Sequence, residues 1–146
     1  MRRVLVPIDF SDATKKVIAQ AIKYAKSLDG EIRLIHVAAP EPEFIGDEVG
    51  PQVLRDQKAK RLRDQHKKIQ KLADNIEREG IKTTPLLVQG VTVDEIIKES
   101  KKFNASIIVM GSHGHNAMYN ILMGSVIEGV IRASKIPVLV IPVKSK

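Results

Sequence analysis

Val109-Met110-Gly111-Ser112-His113-Gly114-His115-Asn116-Ala117-Met118-Tyr119-Asn120-Ile121-Leu122-Met123-Gly124-Ser125-Val126 joins three kinds of local structure in a fixed order. The run Ala105–Met110 is apolar and barely alternates, which is how a strand buried on both faces of a parallel sheet reads. Gly111 ends it, Gly114 follows, and after nine further residues Gly124-Ser125 opens a helical segment. Glycine lets the backbone take positive φ and lets an anion reach N–H groups with no Cβ in the way. A helix N-terminus adds unpaired donors and the positive end of the helix dipole. Strand, glycine loop and helix start together supply what a polyphosphate requires.

Outward from this segment the chain alternates. Arg3–Ile8, Ile32–Val37 and Ile136–Val143 are further apolar runs rich in β-branched residues, and Thr83–Val88 is a weaker one before Gln89-Gly90. Between them lie stretches of helical period. Val17, Ile18, Ala21, Ile22, Ala25 and Leu28 form a stripe stopped by Asp29-Gly30, and Leu62, Ile69, Leu72, Ala73 and Ile76 form another that Gly80 closes. Thr92-Val93-Asp94-Glu95 and Ser125-Val126-Ile127-Glu128 both read as capping boxes. The order β-α-β-α-β-α-β-α-β predicts an α/β doubly wound fold with right-handed crossovers. The expectation is one domain over residues 1–146, with a single long irregular stretch, Ala38–Pro51.

Composition narrows the function classes. The chain has 146 residues, 43% apolar and 28% charged, the balance of a soluble globular domain. No window approaches the ~18 consecutive apolar residues of a membrane span, and Val4-Leu5-Val6-Pro7 is too short an apolar run for a signal peptide. The absence of cysteine removes disulfides, thiolate nucleophiles and cysteine-based metal sites, and it suits a reducing cytoplasm. A formal charge of +7 raises the question of nucleic acid. Much of the surplus sits at Arg55, Lys58, Lys60, Arg61, Arg63, Lys67, Lys68 and Lys71 on the helix spanning about 52–79. No aromatic residue is interleaved with that run, whereas a single-strand platform stacks bases on rings beside its cations. The reading preferred is the solvated face of an amphipathic helix, with nucleic acid an unlikely partner.

The glycine loop is neither of the common phosphate fingerprints. It lacks the lysine of G-x-x-x-x-G-K-S/T, and no G-x-G-x-x-G follows the first strand. The spacing G-x2-G-x9-G-S/T instead resembles the nucleotide-binding signature of the universal stress protein family. Val6-Pro7-Ile8-Asp9, Ile35-His36-Val37 and Ile136-Pro137-Val138-Leu139-Val140-Ile141-Pro142 are similar to that family's first, second and last strand motifs, so the resemblance spans about residues 2–143. It implies five parallel strands in the order 3-2-1-4-5, with ATP bound where strands 1 and 4 diverge. Pro7, Asp9 and Val37 match the family's positions around adenine and ribose. Gly111, Ser112, His113, Gly114, Gly124, Ser125 and Val126 match its phosphate and ribose loop. Mg²⁺ is expected through the ATP phosphates, with no protein metal site, and the resemblance implies a homodimer through the C-terminal strand 136–143. One departure stands out: the residue after the second glycine, often Arg or Lys in the family, is His115, and no Lys or Arg follows as far as Met123. Loss of one such contact costs on the order of 1.5–3 kcal/mol, roughly ten- to a hundredfold in affinity.

Several of these residues have a second reading. Asp9 either caps the first helix, pairs with a surface lysine or contacts ligand. The Ser125 hydroxyl serves either the capping box or a phosphate. His113 and His115, two imidazoles with no carboxylate near in sequence, are a thin metal set. His36, in a buried strand, reads as a hydrogen-bonded core or strand-end histidine rather than a catalyst. No convincing base for phosphoryl transfer is present, so the sequence points to an ATP-binding regulatory module of the stress-response type. A slow ATPase or phosphotransferase is the alternative, and a nucleic-acid binder using the basic helix is the more remote one.

Overall fold

In the computed structural model, which describes residues 2–38, 51–112 and 124–143, the apolar runs become strands and the periodic stretches become helices. The order is β1 (Arg3–Pro7), α1 (Thr14–Ser27), β2 (Glu31–Ala38), α2 (Pro51–Glu77), β3 (Thr83–Gln89), α3 (Thr92–Lys102), β4 (Ile107–Gly111), α4 (Ser125–Ala133) and β5 (Val138–Ile141). The five strands form one parallel sheet in the order β3-β2-β1-β4-β5.

Helices cover both faces. Val4, Val6, Ile32 and Leu34 pack with Val17 and Ala21 of α1 and with Ile69, Ala73 and Ile76 of α2. Leu5, Ile35 and Ile108 pack on the other face with Ile96 of α3 and with Ile127 and Val130 of α4. Successive side chains of a strand point to opposite faces, so a central strand covered on both sides is apolar throughout; Val4, Leu5 and Val6 are all fully buried.

The helix ends follow the expected chemistry with small shifts. At the end of α1 it is Asp29, at φ 50, that takes the left-handed conformation, and Gly30 N–H closes back on Ala25 O at 2.8 Å. Asn104, at φ 54, does the same after α3, where Ala105 N–H reaches Ser100 O at 2.9 Å. Both expected capping boxes fall one residue inside their helices. The cap residues are Val91 and Gly124, both extended, so Thr92 and Ser125 are the first helical residues.

Arg33 of β2 reaches across to Glu99 of α3 as a hydrogen-bonded ion pair, with the guanidinium 4.3 Å from the Phe103 ring centroid. The two sheet edges also differ. β3 carries Pro85, which cannot donate to a further strand, whereas β5 is an uninterrupted Val-Leu-Val-Ile whose first three side chains are only half-buried. β5 is shorter than the expected 136–143, because Pro137 and Pro142 flank it.

Candidate functional site

β1 parts from its neighbours at its C-terminal end. On the β4 side the paired residues stop at Leu5 with Ile108. The next rung would need an N–H on residue 7 to reach Val109 O, and proline has none. On the β2 side the pairing runs to Pro7 with Ile35, and Ile8 N–H donates to Ile35 O at 2.8 Å. Beyond that, Ile8 O is engaged by the ring of His36, whose Nδ1 lies 2.8 Å away. Meanwhile β4 and β5 stay paired to Gly111 with Ile141. The sheet therefore opens between β1 and β4, where the strand order reverses, and doubly wound sheets bind ligands at such a switch point.

Val37, Asp9 and Ser112 stand at or just beyond the C-terminal ends of β2, β1 and β4, past the last paired residues. Val37 packs with the α3/α4 face of the sheet. Val37 and Ser112 are buried, and Pro7, Asp9 and Gly111 are half-buried at the rim. Asp9 does not cap α1, whose cap position is Ala13. Its Oδ1 accepts the Ser11 N–H at 3.0 Å, a local turn that holds the carboxylate where β1 leaves the sheet.

Ser112 ties the loop ends together. Its N–H donates to Ile141 O at 2.9 Å, its O accepts Gly124 N–H at 3.0 Å, and its Oγ accepts Val143 N–H at 3.0 Å. The N–H groups of Ser112 and Gly124 are thus spent inside the protein. They fix where the strand end meets the start of α4. Gly124 has φ −73 and ψ 161, ordinary extended backbone, and Ser125 and Val126 are exposed on the first turn of α4. Since Ser125 is not the cap residue, its hydroxyl is not committed to the capping role. His113, Gly114 and His115 lie outside the described residues, as does 39–50 of the irregular stretch after β2.

Three features of this corner were not singled out from the sequence. Phe10 has φ 61, a left-handed backbone that for a bulky residue costs of order 1–3 kcal/mol. Its ring packs against His36, centroids 4.5 Å apart, and Lys68 Nζ lies 5.7 Å from the Phe10 centroid. Ser11 Oγ and Thr14 Oγ1, at the entry to α1, are buried with no hydrogen-bond partner. Each such orphan costs roughly 1–3 kcal/mol, so the corner suits a polar ligand or water able to satisfy them. Hydroxyls before a helix are ordinary capping residues, and nothing in their spacing distinguishes these.

No group of three or more His, Cys, Asp or Glu able to hold a metal occurs among the described residues, and none of their helices is long and apolar enough to cross a membrane. A separate groove of about 600 Å³ runs along α3, lined by Val93, Ile97, Lys98, Lys101, Lys102 and Ala133 among others. Lys101 and Lys102 occupy the last turn of α3, where the helix dipole favours cations without any ligand.

The fold defines a doubly wound α/β domain whose sheet opens at the β1/β4 switch point. The chain belongs to the universal stress protein family, whose model matches residues 1–142. It is 32% identical to universal stress protein MJ0531 of Methanocaldococcus jannaschii, over 96% of this chain and 81% of that one. Among solved structures it is similar to MJ0577, described as a structure-based assignment of biochemical function, with 28% identity, TM-score 0.73 and coverage of 99% and 98% of the two chains. It also shares the fold of the universal stress protein from Archaeoglobus fulgidus solved in complex with dAMP, at 21% identity and TM-score 0.65, covering 96% and 97%.

Proposed function

We propose that this chain binds an adenine nucleotide, ATP with Mg²⁺, in the cleft between β1 and β4 and acts as a nucleotide-dependent regulatory module in the cytoplasm. The observation that carries the reading is the parting of β1 from β4 at the switch point, with Asp9, Val37 and Ser112 at the strand ends and Ser112 bonded to Gly124 at the start of α4. Pro7, Asp9 and Val37 take the adenine and ribose. Gly111, His113, Gly114, His115, Gly124, Ser125 and Val126 form the phosphate side, with Ser112 holding the loop ends in place. The dAMP carried by the Archaeoglobus fulgidus protein supports a nucleotide in this fold. Mg²⁺ would be held mainly by the phosphate oxygens of the nucleotide and would supply part of the counter-charge that the loop lacks.

Calorimetric titration of nucleotide-stripped protein with ATP and Mg²⁺, against ADP, AMP and GTP, tests this. Saturable binding selective for adenine and strengthened by phosphates is expected. No heat and no thermal shift at millimolar ATP would sink the reading. Nucleic acid is the weaker alternative because no aromatic residue is interleaved with the basic run of α2 to stack a base beside its cations.

The same reading includes a homodimer through β5. The half-buried Val138, Leu139 and Val140 on an edge with no proline inside it favour strand pairing there. Light scattering is expected to give twice the 16.2 kDa chain mass; a monomer at micromolar concentration refutes it.

A further inference from the structure

Along β2 the N–H groups of alternate residues point to β1: Glu31 N–H donates to Arg2 O at 2.9 Å, and Ile8 N–H returns to Ile35 O at 2.8 Å. In that register the following rung is Val37 N–H to Ile8 O. Among the described residues this rung is not formed; Ile8 O faces the His36 Nδ1 instead. A carbonyl only accepts, so the Nδ1 assigned to this bond carries the proton. The imidazole is 9% exposed and is held from the side by Phe10, 4.5 Å away at 46°.

We infer that His36 is a positioning residue for the ligand. By engaging Ile8 O it ends the β1–β2 ladder one rung early and leaves Val37 N–H as an open donor in the cleft. It also anchors the peptide from which Asp9 projects. The donor suits an acceptor at the edge of a planar heterocycle, such as a purine ring nitrogen. The inference rests on the nucleotide reading above for its ligand, but not for its geometry.

Two substitutions separate the role from packing. His36→Leu removes the donor and lets Val37 N–H re-pair with Ile8 O. His36→Asn keeps an amide N–H where Nδ1 stood. The leucine variant is expected to bind ATP at least tenfold more weakly and to slow hydrogen exchange at the Val37 amide at least tenfold, whereas the asparagine variant stays within about threefold of wild type in both. Unchanged Val37 exchange in the leucine variant overturns the proposal, and so does equal loss in both variants, the signature of packing alone. If wild-type protein binds no nucleotide, the functional reading fails while Val37 exchange still decides the role of His36. If the leucine variant does not fold, ¹⁵N spectra of the wild-type imidazole decide: a proton on Nδ1 supports the proposal and a bare Nδ1 overturns it.

Discussion

Valine at position 124 is expected to abolish adenine-nucleotide binding, by more than about a hundredfold in affinity, while leaving the melting temperature within about 2 °C of wild type. The expectation comes from what Gly124 does not need. Its φ of −73 is open to every residue, and a Cβ built there comes no closer than 4.0 Å to any described atom, the Ser112 carbonyl oxygen. Contrast Gly90, at φ 153, where a Cβ would lie 2.8 Å from the Glu95 side chain; there the chain itself demands glycine. At Gly124 neither the backbone nor any described neighbour does, which accords with the proposal that the space beside it is for a ligand. A valine would stand at the cap of α4, between an approaching phosphate and the N–H groups of the first turn. Titration with ATP and Mg²⁺ beside a thermal melt checks both halves. A folded Gly124→Val protein that binds as wild type would show that the phosphate does not lie there.

This prediction departs from what the sequence alone suggests about the same glycine. From the spacing of Gly111, Gly114 and Gly124, a strained backbone looks like one reason for glycine; at Gly124 only access to the helix start remains. The larger features were legible because they follow from burial. Val4-Leu5-Val6 and Ile107-Ile108-Val109 read as strands covered on both faces, and both faces are covered. The edge strand β3 was the weakest signal because its side chains are mostly half-buried, which dilutes the apolar run.

The details of the cleft were less legible, since they depend on register. Pro7 was visible as part of a strand motif. That it stands where the β1–β4 ladder needs a donor appears only once Leu5 is paired with Ile108. His36 was readable as a hydrogen-bonded core or strand-end histidine, and the 2.8 Å bond to Ile8 O agrees with the hydrogen bond. Which carbonyl it takes, and which rung it thereby prevents, no spacing rule supplies. The capping boxes miss by one residue for a similar reason: Val91 and Gly124 enter their helices already extended, and the expected Thr92 and Ser125 fall inside.

The other large effect lies at the opposite end of the sheet, where Glu99→Ala is expected to lower stability by about 3 kcal/mol, roughly 6–12 °C in melting temperature. Glu99 is 7% exposed and accepts from Arg33 Nη1, while Arg33 Nε is already buried without a partner. Removing the carboxylate leaves a guanidinium that cannot deprotonate and has lost its only described anion, with the Phe103 face 4.3 Å away as its remaining favourable contact. The Arg33 side chain keeps 27% of its surface in water, which holds the cost near the low end for a broken buried pair. Glu99→Gln retains an acceptor and is expected to cost about 1 kcal/mol. The double variant Arg33→Met with Glu99→Leu removes both charges together and is expected to recover most of the loss, because well-packed apolar groups replace a buried pair at little cost. Denaturant melts of Arg33→Met, Glu99→Leu and the double variant give the coupling, and those of Glu99→Ala and Glu99→Gln give the cost of the stranded charge. A double variant as unstable as Glu99→Ala alone would mean that the destabilisation comes from lost packing around α3 rather than from a stranded charge. Since Arg33 and Glu99 sit at the N-terminal end of the sheet, away from Asp9 and Ser112, nucleotide affinity in each folded variant is expected to stay within about twofold of wild type.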